Sequence, residues 1–204
     1  MRAAAAAQAG FVVEADVHVF RGRVEVRHEK VLRPFGGRWE RWYVLPSDAP
    51  RPLLGDILNA VGPRATLLLD LKCLTQAAAR RIRAEVPDSV AVVVSSRSWW
   101  TLAAFADRAD TPMLRSCGNR LQRWVGVRWP GLGERVGLTA HERLLTPEIV
   151  ARIRRRTPHV YSWAVTSRGR GDALIDSGLS GVVLDDPAGP ASPLNRGGSD
   201  ADAH

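Results

Sequence analysis

The stretch TLLLDLKCLTQAAARRIRAEVPDSVAVVVS, residues 66–95, decides the fold class. It opens with an apolar run at 66–72, passes through a helical pattern at 75–85 and ends in a second apolar run at 90–95. Two such runs joined by a helix make a parallel β/α unit, because parallel neighbours need a long crossover and the crossover is usually helical. The same alternation continues on both sides. Strands are predicted at 11–19, 112–116, 135–139, 160–166 and 181–184, and helices at 52–61, 99–107, 147–156 and 171–177. Thr146 followed by Pro147 and Glu148 reads as an N-cap with proline in the first helical turn.

This pattern gives seven strands, with a short helix ahead of the first. A (β/α)8 TIM-type barrel begins with a strand and runs to about 250 residues. The α/β reading is therefore such a barrel lacking its first β-strand. An open doubly wound sheet would accept the same count, but no glycine-rich phosphate loop follows any strand. The Arg-, Trp- and Pro-rich stretch 31–50 is expected to be a loop excursion. The barrel domain is placed at 1–187, and 188–204 is expected to be a disordered tail with nothing apolar to bury.

The chain has 204 residues, 45% of them hydrophobic, and a formal charge of +8. Cys73 and Cys117 lie far apart, which excludes a disulfide framework and a cysteine zinc site and favours a reducing compartment. Of the 29 basic residues all but Lys30 and Lys72 are arginine, and they are scattered along the chain, so the charge reads as a composition habit and no specific nucleic-acid partner is expected. No apolar run approaches the roughly 18 residues of a membrane span. Gln8, Glu14 and Asp16 interrupt the opening alanine run, so it is no signal peptide. With Met1 as the start, a cytoplasmic location is expected.

Two acidic pairs stand out. In FVVEADVHVF, 11–20, alternation puts Glu14, Asp16 and His18 on one face of a strand. Carboxylates two residues apart on a strand can converge on one cation, and if buried they need a metal, a shared proton or a basic partner. In TLLLDLK, Asp70 and Lys72 end a buried strand on one face. They could simply pair with each other, yet Lys72 is a rare lysine whose compact ammonium suits a phosphate. Oxygen ligands from Glu14, Asp16 and Asp70 suit Mg²⁺ or Ca²⁺ and are poor for zinc. A hairpin turning near Arg21 and Gly22 would fold RVEVRHEK back and bring His28 toward these acids, where it could exchange protons. His18, His141 and His159 have weaker cases.

The segments GFVVEADVHVFRGRVEVRHEK, LLLDLK, VYSWAVT and SGLSGVVLDDP, in this order, resemble the glycerophosphodiester phosphodiesterase family from about residue 3 to 187. The resemblance implies a (β/α)8 barrel that hydrolyses small-molecule glycerophosphodiesters to glycerol 3-phosphate and an alcohol with one divalent cation. By the same resemblance Glu14, Asp16 and Asp70 bind that metal and Lys72 contacts the phosphate. His28 is then one of two acid–base histidines, and Trp163 lines the alcohol side of the pocket. The chain departs from the family in lacking the His-Arg pair of the first strand, in having Glu29 after His28, and in closing on Leu184-Asp185-Asp186-Pro187 without threonine. The first departure removes a catalytic histidine and a phosphate-contacting arginine, so impaired hydrolysis is expected. An inactive paralogue that binds metal and phosphate esters, or a phospholipase D-like lyase on the same barrel, are the alternatives. An open barrel edge would invite a homodimer.

Overall fold

A computed structural model of the chain describes residues 13–184 apart from 29, 32–37, 41–42, 46–50, 63–65 and 166. The architecture is a mixed α/β curled sheet of eight strands with helices packed on its outer face. In chain order the sheet strands are β1 (Val13–Phe20), β2 (Arg23–Val26), β6 (Leu67–Leu71), β7 (Val92–Ser96), β8 (Met113–Cys117), β9 (Val136–His141), β10 (Val160–Val165) and β11 (Gly181–Leu184). Their order in space is β11-β10-β9-β8-β7-β6-β1-β2. Only the β1–β2 pair is antiparallel; every other pair is parallel. All seven strands expected from the sequence are present.

The helices are α1 (Leu54–Val61), α2 (Gln76–Glu85), α3 (Arg120–Arg128), α4 (Pro147–Arg154) and α5 (Arg168–Asp176), with 3-10 turns at Trp99–Phe105 and Glu142–Leu144. Four helices start on a side-chain cap. Thr75 accepts from the Ala78 amide, Asn119 from Gln122, Thr146 from Ile149 and Ser167 from Arg170. Each cap stops a strand-to-helix connection, so the sequence sets where the chain turns downward after leaving the sheet.

Alternation sorts the strand side chains into two layers. Leu67, Leu69, Leu71, Val92 and Val94 face outward and pack with Ala79, Ile82 and Phe105. Leu68, Val93 and Leu114 face inward and meet Tyr161 and Val183 across the curl. Two residues further along each strand, this inner face carries Asp70 on β6, Ser95 on β7 and Ser116 on β8, all buried. The interior is therefore apolar at its base and polar towards the carboxyl ends of the strands, the end where parallel barrels place their chemistry.

Three expectations are corrected. The stretch 31–50 is more than a loop: β3 (Lys30–Val31), β4 (Arg38–Glu40) and β5 (Tyr43–Leu45) form an antiparallel sheet of their own. Strands this short leave too few residues for an alternating pattern to show. Helix α3 was not expected, and 99–107 is a 3-10 turn rather than an α-helix. The helix expected before the first strand and the tail at 188–204 lie outside the described residues.

The sheet depends on close backbone approach at Gly137 in β9, where an added Cβ would sit 2.0 Å from the His159 carbonyl oxygen. Gly137→Ala must push β9 and β10 apart and is expected to cost about 1–3 kcal/mol in urea unfolding, as overpacking does. Gly133→Ala, with nothing near the added methyl, should be near neutral.

Candidate active site

The first carboxylate pair is set by strand register. β1 and β6 run parallel with Asp16 directly beside Asp70 and Glu14 beside Leu68. Glu14, Asp16 and Asp70 each offer an oxygen, and these oxygens lie within 4.8 Å of one another. The two pairs separated by more than fifty residues in sequence thus become one cluster.

Lys72 sits among them. Its ammonium is 3.1 Å from Asp16 Oδ1 and also donates to Asp70 Oδ2. Ser95 Oγ on β7 donates to Asp70 Oδ1 at 2.7 Å, fixing the rotamer of a carboxylate buried in the wall. Ser95 was not singled out from the sequence. The signal was there: Val90–Ser95 ends in a hydroxyl at the place where β6 ends in Asp70, and these two residues are register partners.

Burial is the main influence on Asp16 and raises its carboxyl pKa; Lys72 opposes this and Asp70 adds to it. Burial also works against the charge on Lys72, but Asp70 and Asp16 outweigh it and hold the ammonium above its ordinary pKa of 10.5. Three carboxylates share this end of the sheet with the Lys72 ammonium, a grouping to which a divalent cation would add positive charge. The donor set is all oxygen, so it fits a hard cation.

The β1–β2 hairpin brings in the histidine. Its two-residue turn has positive φ at both Arg21 (49°) and Gly22 (76°), the type I′ geometry that matches strand twist. Inside the hairpin Glu25 and Arg27 form a buried ion pair at 3.0 Å, and the Arg27 amide donates to the Asp16 carbonyl at 2.9 Å. His28 follows directly and is exposed, with Nε2 3.9 Å from Asp16 Oδ2. His18 lies on the same face of β1, but burial, reinforced by Arg27 and Lys72, pushes its pKa down to about 3, so it is neutral.

Trp163 lies elsewhere on the inner face, towards the carboxyl end of β10. It is half-buried, tilted against His141 of β9 at 4.7 Å between ring centroids, with the Arg97 guanidinium 5.3 Å from its ring. The strand bulges here, between Ser162 and Val165, and Ala164 adopts a left-handed φ of 57°. Strain of this kind in a non-glycine residue is held by its surroundings and clusters at functional sites. His141 Nδ1 accepts from the Arg143 amide at 3.3 Å, which directs Nε2 away from the backbone. Arg97 was passed over in the sequence and His141 was given only a weaker case, because neither sits in a motif; their place on the inner face, two residues beyond Ser95 and Thr139, marks them. Asp185, Asp186 and Pro187 lie outside the described residues.

Neither a protein-family model nor a curated protein matches the chain. Solved structures do. A phosphodiesterase from Oleispira antarctica in complex with the product sn-glycerol-3-phosphate is similar over 90% of this chain and 85% of its own, with a TM-score of 0.67 and 16% identity. A glycerophosphodiester phosphodiesterase from Thermotoga maritima gives 89% and 84%, a TM-score of 0.62 and 17% identity. Another from Parabacteroides distasonis gives 89% and 82%, 0.66 and 16%. The chain has the fold of these enzymes, in agreement with the family its sequence resembles.

Lys72 is the counter-charge of Asp16 and Asp70, so Lys72→Met is expected to cost about 1–3 kcal/mol of stability in metal-free buffer at neutral pH. Asp16 already has a pKa above 3.8, meaning that the folded state takes up its proton more readily than the unfolded chain. Removing Lys72 strengthens that tendency, so the deficit of the variant should shrink as pH is lowered and Asp16 is protonated. Urea unfolding of both proteins across the acidic range checks this; a loss independent of pH would contradict it.

Proposed function

We propose that this chain is a metal-dependent phosphodiesterase acting on glycerophosphodiesters, releasing sn-glycerol 3-phosphate and an alcohol. The observation that carries the reading is the convergence of Glu14, Asp16 and Asp70 around Lys72, with His28 facing Asp16. The fold shared with phosphodiesterases, one of them in complex with sn-glycerol-3-phosphate, supports it.

The three carboxylates would hold one divalent cation, Mg²⁺ or Ca²⁺, which supplies Lewis-acid polarisation of a phosphoryl oxygen when bound. Lys72 keeps its proton under the influence of Asp70 and Asp16 and gives the phosphate a second positive contact. His28, exposed beside Asp16, is placed to move the proton of the attacking nucleophile. Trp163, with His141 and Arg97, lines the alcohol side. The inner apolar layer of Leu68, Val93 and Leu114 closes the floor of the chamber.

The 204 residues contain no His-Arg pair, so one acid–base group and one phosphate contact of the family pattern are missing. Turnover by this polypeptide is therefore expected to be slower by about 10² to 10⁴, the usual contribution of a positioned acid–base group.

Incubation with sn-glycero-3-phosphocholine and Mg²⁺ or Ca²⁺ is expected to release sn-glycerol 3-phosphate, and a chelator should stop it. His28→Ala should lower kcat by about a further 10² or more with KM little changed. A cyclic phosphate product would indicate a lyase instead. Metal-dependent stabilisation by glycerol phosphate with no release at all would mark a binding protein, and release that persists in chelator would contradict the reading.

A further inference from the structure

Three neighbouring strands deliver an exposed apolar side chain at the same end of the sheet. Leu74 follows β6 and is 75% exposed, Trp100 follows β7 and is 60% exposed, and Leu121 follows β8 and is 69% exposed. Trp124, 52% exposed, lies one helical turn below Leu121 on the same face of α3. Leu74 and Trp100 are in contact, since the indole N–H donates to the Leu74 carbonyl at 3.0 Å. This end is the mouth that holds Asp16, Asp70 and Lys72. Scattered single apolar residues on a surface need no explanation, but three consecutive strand-end connections presenting one each form a rim.

Charge is distributed to match. From the ends of β6, β7 and β8 through the first turn of the following helix, the chain carries Lys72, Arg97, Arg120 and Arg123 and no Asp or Glu. The connections at the opposite end, entering β7, β8 and β9 from the last turn of the preceding helix, carry Glu85, Asp88, Asp107, Asp110 and Glu134 beside Arg83, Arg108, Arg128 and Arg135, with Arg83 paired to Asp88 and Asp107. Outside the carboxylate cluster the apolar rim is thus positive, while acids and arginines are mixed at the far end. Exposed Trp and Leu among arginines suit the boundary of an anionic bilayer, where indoles sit at the headgroup level and each cation adds attraction.

We propose that this rim docks the protein, mouth down, on an anionic lipid surface, so that the site reaches phosphodiesters anchored in the bilayer as well as dissolved ones. The proposal deepens the phosphodiesterase reading and rests on it for the substrate, but the docking itself requires no turnover.

Sedimentation with vesicles of phosphatidylcholine containing phosphatidylglycerol, compared with pure phosphatidylcholine, tests it. The protein is expected to sediment with the anionic vesicles, weakly with the neutral ones, and less as salt rises. Leu74→Ser/Leu121→Ser and, separately, Arg120→Glu should each weaken anionic-vesicle binding by about tenfold or more. Hydrolysis of dissolved sn-glycero-3-phosphocholine should stay unchanged in both variants, which also shows that they are folded. Absence of binding to anionic vesicles, or binding equal in all variants, would overturn the proposal. So would a vesicle-free self-association lost in the Leu variant, which would show that a second copy covers the rim. Docking without hydrolysis of any diester would leave the docking standing and remove the phosphodiesterase reading.

Discussion

Everything at the mouth depends on the parallel pairing of β1 with β6 that sets Asp16 beside Asp70. Two carboxylates forced this close, one of them buried, repel each other unless something positive intervenes. Lys72 intervenes in part, bridging both, and Ser95 ties down the outer oxygen of Asp70. The three carboxylates are held on strands rather than on loops. That is the condition under which a cation site keeps its geometry as the rest of the surface moves.

The remainder of the architecture serves this placement. Outward-facing residues of β6 and β7 bury against α2 and the 3-10 turn, while the inward-facing set forms a short apolar floor and then gives way to Asp70, Ser95 and Ser116. The hairpin is held by the antiparallel β1–β2 ladder, and the backbone bond from the Arg27 amide to the Asp16 carbonyl delivers His28 to the cluster. Across the curl, the bulge at Ala164 aims Trp163 at His141 and Arg97. The carboxylate cluster and the aromatic, cationic group thus both lie on the inner face of the sheet.

Much of this was legible in the sequence, because it depends on period-two alternation and strand order. The i, i+2 spacing of Glu14 with Asp16 and of Asp70 with Lys72 already states which residues share a face. The turn at Arg21-Gly22 already states that His28 returns. The joining of the two acidic pairs is not local, since it follows from which strands become neighbours; the chemistry of the residue types suggested it and the family resemblance implied it, but spacing alone could not. Helix α3 was missed because RLQRWVGVR exposes Leu121 and Trp124 and buries Gly126, reversing the usual apolar stripe; the Asn119 cap was the available signal. The small sheet β3–β5 was missed because two- and three-residue strands show no periodicity.

The account stands on Glu14, Asp16 and Asp70 acting together on one cation. Electron paramagnetic resonance titration with Mn²⁺ as a probe of a hard-cation site tests this most directly. One bound Mn²⁺ per chain is expected in the unaltered protein, displaced by Mg²⁺ or Ca²⁺, and none at the same concentration in Asp16→Asn or Asp70→Asn. Binding that survives both substitutions, or no bound ion in the unaltered chain, would contradict it.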